Sequence, residues 1–122
     1  MTAIIGKWNY KEEFDFGTCL GTVSIYKSEE VYIAEFSFIE NENSGSEIRV
    51  NEKCTIEIKG NQLNFESKDI DCDGLKDGEK YFSNQRQGTY TNEDKIVGHS
   101  WDSENTCGIF VMTRIENNIS WE

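Results

Sequence analysis

Across residues 48–58 the chain alternates. Ile48, Val50, Glu52, Cys54, Ile56 and Ile58 share one parity, and Arg49, Asn51, Lys53, Thr55 and Glu57 share the other. All of the first set but Glu52 are apolar, and none of the second set is. Successive side chains of a strand point to opposite faces, so a period of two sustained this long specifies a strand with one buried face. A helix would scatter the same residues around its circumference. One wet face and one dry face is the pattern of an antiparallel sheet.

The pattern recurs along the chain. Residues 7–14 place Trp8, Tyr10 and Phe14 together, and residues 19–26 set Cys19, Gly21, Val23 and Ile25 against Leu20, Thr22, Ser24 and Tyr26. Residues 31–39 place Tyr32, Ala34, Phe36 and Phe38 on one face. Leu63 and Phe65 define a short strand, and 88–91, 95–101 and 107–115 complete a set of eight. Polar turns separate them: 27–30, 41–45, Gly60-Asn61, 91–94 and 103–105. Residues 68–80 read as the one long irregular stretch, and no helix or domain linker interrupts the series. Eight short-linked strands form a meander that closes on itself and so removes its sheet edges. The expectation is an all-β chain: a single eight-stranded antiparallel up-and-down β-barrel, one domain over residues 1–122.

Charge narrows the partners. Asp and Glu number 23 against 12 Lys and Arg, a net charge of -11. Such a chain is repelled by phosphate backbones and anionic bilayers, which argues against nucleic-acid and membrane partners. Its first residues have neither the basic start nor the long apolar run of a secretion signal, so a cytoplasmic location is expected, with a secreted or periplasmic one if a signal was removed. Cys19, Cys54, Cys72 and Cys107 are widely spaced, with no C-x-x-C pair of a zinc or redox motif. They permit three disulfide pairings; free thiols are the default without a secretion signal.

The first strand opens on Gly6-Lys7-Trp8, a G-x-W, and the last ends on Thr113-Arg114. This resembles the calycin superfamily of lipocalins, fatty-acid-binding proteins and avidins, where a G-x-W starts the barrel and an arginine of the last strand packs over the tryptophan. The resemblance implies a lipocalin-like barrel closed at one end by Gly6, Trp8 and Arg114. A planar guanidinium suits that place, because it stacks on an indole and still hydrogen-bonds carbonyls. Residues 108–114 are also similar to the closing strand of avidins, but the tryptophan and hydroxyl set of a biotin site has no match here.

Three features bear on chemistry. Asp69-Ile70-Asp71-Cys72-Asp73-Gly74 is the D-x-D-x-D-G opening of a calcium loop, with Asp77 at the ninth position and Glu79 one place before the twelfth, which is Lys80. Calcium is therefore the one cofactor considered, held by Asp69, Asp71, Asp73, Asp77 and Glu79; an acidic turn-rich loop is the plainer reading. His99, the single histidine, shares parity with Val97 and Trp101 and is expected to face inward. With no base-and-nucleophile pair legible around it, an enzyme is not expected. Aromatic side chains with polar tips suit a ligand cavity, and Tyr10, Tyr26, Tyr32, Phe36, Phe38, His99 and Trp101 are the expected lining. The expected function is non-catalytic binding of a small apolar or amphipathic molecule inside the barrel. The alternative is an interaction module or inhibitor that engages a protein partner through its acidic surface and loops.

Overall fold

The computed structural model describes residues 2–75, 81 and 84–115. A short 3-10 turn, Thr2–Ile4, precedes eight strands: β1 (Gly6–Phe14), β2 (Gly17–Ser28), β3 (Val31–Glu42), β4 (Glu47–Lys59), β5 (Gln62–Asp73), β6 (Gln85–Asn92), β7 (Lys95–Trp101) and β8 (Cys107–Arg114). Each strand pairs antiparallel with the next, and β8 returns to pair with β1, from Trp8 opposite Arg114 to Phe14 opposite Gly108. The sheet is a closed up-and-down barrel, as the alternation requires.

This connectivity sends alternate loops to opposite ends. Tight links at Glu29-Glu30, Gly60-Asn61 and Glu93-Asp94 gather at one end with the 3-10 turn. The turn at 15–16, the loops at 43–46 and 102–106, and Leu75, Tyr81 and Asn84 from between β5 and β6 gather at the other. Inward positions hold Val23, Ile25, Ala34, Phe36, Phe38, Val50, Cys54, Ile56, Leu63, Phe65, Ile96, Phe110 and Met112, all buried. Gly21 and Gly98 let the wall fold tightly around them. A Cβ on Gly21 would stand 2.0 Å from the Ser37 carbonyl oxygen, and one on Gly98 would stand 2.2 Å from that of Gln87.

The end with the tight links is plugged. Trp8 is fully buried and donates from Nε1 to the Ile4 carbonyl at 3.0 Å. The Arg114 guanidinium lies 4.3 Å from the centre of the Trp8 ring. It also donates to the carbonyls of Glu93 (2.8 Å), Ile5 (3.1 Å) and Ala3. Gly6, at φ 140°, makes room for it, since a Cβ there would meet Arg114 Nη1 at 2.9 Å. Gly6, Trp8 and Arg114 thus meet at this end of the barrel.

One stretch departs from expectation. Of the expected irregular stretch 68–80, residues 68–73 instead continue β5 along β4, past a register shift between Lys53 and Cys54, and 76–80 lie outside the described residues. Among the described residues, only Gln62 to Phe65 pair with β6, so the upper half of β5 pairs with β4 alone. The sequence hid this because outward Asp69, Asp71 and Asp73 alternate with only two inward apolar residues, Ile70 and Cys72. Their cross-strand partners are Lys53, Asn51 and Arg49, so two of the three carboxylates lie opposite a cation on the outer wall.

Candidate functional site

The barrel interior is polar in its upper half. Glu12, Glu40, Glu52, Arg86 and Ser100 are buried there alongside the apolar core. Each belongs to an inward parity: Glu12 follows Trp8 and Tyr10, Glu40 follows Phe36 and Phe38, Glu52 stands between Val50 and Cys54, and Arg86 precedes Gly88 and Tyr90.

Arg86 is the hub. Its side chain is fully enclosed, as is that of Glu52, and Nη1 stands 3.0 Å from Glu52 Oε1. Nε donates to the Tyr10 hydroxyl at 2.9 Å. The Tyr10 hydroxyl in turn donates to one oxygen of Glu12, and Ser100 Oγ donates to the other. The guanidinium lies 4.3 Å from the centre of the Phe36 ring. The contact with Glu52 is an ion pair without hydrogen-bond alignment: among the described residues neither Nη of Arg86 is aligned on a hydrogen-bond acceptor, and Glu52 has only the weak Cys54 thiol beside it. Burial opposes the charge of Arg86, but Tyr10, Glu52 and Glu12 more than offset it, so the guanidinium is held firmly protonated. Burial pushes the Tyr10 phenol well above its usual range, which keeps it a neutral donor to Glu12.

Around this hub the interior is packed solid. Tyr10, Phe36, Phe38, Phe65 and Phe110 form one aromatic cluster with centroid distances of 5.1–6.2 Å. Above it the barrel opens into a cavity of about 310 Å³ at the mouth. Phe14, Phe16, Ile48, Leu75 and Tyr81 give it apolar walls, and Glu12 and Glu40 face it from within. Glu42, Asn43, Asn84, Asp102 and Thr106 form the polar rim, where Cys107 also sits. Asp102 Oδ1 shapes the β7–β8 side by accepting from the backbone N–H groups of Glu104 (2.9 Å) and Thr106 (3.0 Å).

The residues expected to line a cavity do not line this one. Tyr10, Phe36 and Phe38 face inward but fill the core beneath it. Tyr32 is half-buried near the plugged end, where the Lys27 ammonium lies 5.4 Å from its ring centre. Tyr26, His99 and Trp101 face outward, which corrects the expectation for them. Tyr26 donates to Glu35 on the outer wall, and the His99 and Trp101 rings stack at 5.2 Å. The inward parity of β7 belongs to Ile96, Gly98 and Ser100; the small residues on that face left the larger outward side chains to be mistaken for the buried set.

The first three expected calcium ligands stand on a strand and not in a loop. Asp69, Asp71 and Asp73 project from an extended strand on one outer face, where alternate residues stand about 6.6–6.8 Å apart. Calcium needs six or more oxygens converging at about 2.4 Å, which such a row does not provide. Asp77 and Glu79 lie outside the described residues. Among the described residues no cluster of three His, Cys, Asp or Glu side chains has a metal-holding arrangement. All four cysteines are free thiols: Cys19 and Cys54 are buried, Cys72 is half-buried and Cys107 is exposed.

The molecule thus belongs to a definite architectural class: a closed eight-stranded antiparallel barrel, plugged at one end, with a charged hub inside and a cavity at the other end. Several solved structures share that fold. A redesigned β-barrel, mFAP1, bound to DFHBI, is 16% identical, with a TM-score of 0.66 over 93% of this chain and 96% of that one. A barrel named EF1p2_mFAP2b, also bound to DFHBI, is 12% identical with a TM-score of 0.66, covering 93% and 95%. A fluorescence-activating β-barrel designed de novo is 16% identical with a TM-score of 0.59, covering 93% and 95%. Compared by sequence, the chain matches no protein-family model and no curated protein.

Proposed function

We propose that this chain is a non-catalytic, calycin-like binding protein that seats a small amphipathic molecule in the mouth of its barrel. The observation that carries this is the 310 Å³ cavity itself, with apolar walls from Phe14, Ile48, Leu75 and Tyr81 and polar groups at its floor and rim. That volume lies at the lower end of the range for small-molecule sites, about 300–1,000 Å³. The fold supports the reading: two barrels similar in architecture hold the small molecule DFHBI. The G-x-W and arginine plug supports the calycin likeness. A binding role without catalysis is supported by His99, which stacks on Trp101 on the outer wall, away from the cavity.

The test is a calorimetric titration of the full chain with 1-naphthylmethanol, a neutral amphiphile of suitable size. Saturable one-to-one binding is expected. Ile48→Trp, which fills the cavity with an indole, is expected to abolish it while the strand signal in circular dichroism stays. Absence of saturable binding at millimolar concentration, or binding indifferent to Ile48→Trp, overturns the reading. An interaction module is the second reading, favoured by the exposure of Phe16 (63%), Leu20 (52%) and Ile109 (69%). A partner docked through Leu20 and Ile109 on the outer wall would be indifferent to a filled cavity, so the same variant separates the two.

A further inference from the structure

We propose that the mouth of the barrel selects cationic amphiphiles, with the ligand's ammonium group set against the buried carboxyl of Glu40 and its apolar body against Phe14, Ile48, Leu75 and Tyr81. This rests on the binding reading above and names the charge of what is bound.

The inference comes from the partners of three buried carboxyls. Glu52 has the guanidinium of Arg86 at 3.0 Å. Glu12 has two hydroxyl donors, from Tyr10 and Ser100. Glu40 is also buried, though less deeply (8% exposed against 2% for the other two), and faces the cavity, yet no base, hydroxyl or amide among the described residues donates to it. Its neighbours are the Cys19 thiol, a weak donor at 3.8 Å, and the carboxyl of Glu42, which donates only when one of the two is protonated. A buried carboxylate without a strong donor is costly, and an ammonium entering from the mouth would supply one.

Among the described residues, the charged groups around Glu40 agree in sign. Glu12 faces it from β1, Glu42 stands two residues further along β3, and Asp102 closes the cavity from the far side. β2 contributes the Cys19 thiol, β4 the apolar Ile48, and the β5–β6 connection Tyr81. The nearest buried cation, Arg86, is engaged by Glu52 and Tyr10 and does not line the cavity. Burial, then the hydrogen bond and charge of Glu42 and the charge of Glu12, push the Glu40 carboxyl up to about 7. Its ionisation, and with it the hold on a cation, therefore turns on across neutral pH.

Three probes with one ring test this: 1-naphthylmethylammonium, 1-naphthylmethanol and 1-naphthoate, titrated into the full chain at pH 6 and pH 8. The ammonium is expected to bind about tenfold or more tightly than the alcohol at pH 8, with the naphthoate weakest. The ammonium-to-alcohol ratio is expected to shrink at pH 6 and to fall to about one in the near-isosteric Glu40→Gln. If the alcohol or the naphthoate binds as well as the ammonium at pH 8, the charge selection is overturned while binding in the mouth stands. A pH-independent ratio also overturns it. If none of the three binds, the binding reading itself falls.

Discussion

Replacing Arg86 with methionine is the sharpest perturbation of this barrel. The guanidinium is fully enclosed and is the ion-pair partner of an equally enclosed Glu52. Methionine fills much of the same volume with a flexible apolar chain, so the steric cost is small and the electrostatic one dominates. What remains is a carboxylate deep in the barrel with no cation and no strong donor among the described residues, and a Tyr10 hydroxyl that has lost its donor. Removing one partner of a buried pair costs about 3–5 kcal/mol, because the other charge stays buried and uncompensated. Domains of this kind have roughly 5–15 kcal/mol in total, so the loss is a large share of it. In thermal terms it corresponds to a fall in Tm on the order of 10–20 °C.

Replacing both partners reverses the logic. Arg86→Met with Glu52→Met leaves no buried charge at that place, and apolar replacements of similar volume are often neutral or stabilising. The double variant is expected to recover to within about 1 kcal/mol of the parent, giving a large coupling energy in the cycle. Urea unfolding of the four proteins, followed by far-ultraviolet circular dichroism, measures it. A loss below about 1 kcal/mol in Arg86→Met would refute the argument. So would a double variant whose loss equals the sum of the single ones, since that is what independent side chains give.

Other outcomes follow from the same contacts. Arg114→Lys is expected to cost about 2 kcal/mol in urea unfolding, because an ammonium neither stacks on Trp8 nor forks to the Ala3, Ile5 and Glu93 carbonyls at once. The Glu40 carboxyl titrates near 7 in the folded barrel against 4.5 when free, so the folded state holds the extra proton between those values. Its contribution to stability is therefore full below about 4.5 and is lost as pH rises towards 7; Glu40→Gln is expected to flatten that part of the stability–pH curve relative to the parent. Among the thiols, Cys107 is expected to react first with a maleimide. Burial raises the Cys19 thiol well above its usual range and that of Cys54 to about 12, so both are expected to react only at the rate of global unfolding, read by mass spectrometry over time.

The alternation of apolar and polar residues marked the eight strands, and the short links between most of them made a closed meander the expectation, which the fold bears out. Period-two patterning needs only local geometry, and short links leave consecutive strands no option but to pair. Gly6, Trp8 and Arg114 were legible too, because a stacking arginine and the tryptophan it covers mark the two ends of the chain that closure must join. The polar interior left a trace that patterning alone undervalues. Glu52 is the one polar residue on the apolar parity of 48–58, and Glu12 and Glu40 fall on inward parities of their own strands. A carboxylate at such a place calls for a partner, but Arg86 is 34 positions from Glu52 and 76 from Tyr10. Only the tertiary fold, by ending the β5–β6 pairing at Phe65 and Arg86, brings that guanidinium inside.

The cavity and the course of residues 68–73 were likewise decided by the fold. Alternation says which side chains point inward, not how much space they leave, and the aromatic set taken for a ligand lining is dense enough to fill the barrel. The mouth is built from Phe14 and Phe16 at one turn, Ile48 and Leu75 near others, and Glu40 between them, residues that share no local pattern. Their convergence is a property of closure: a meander that seals itself gathers alternate loops at one end, and what those loops carry becomes one site.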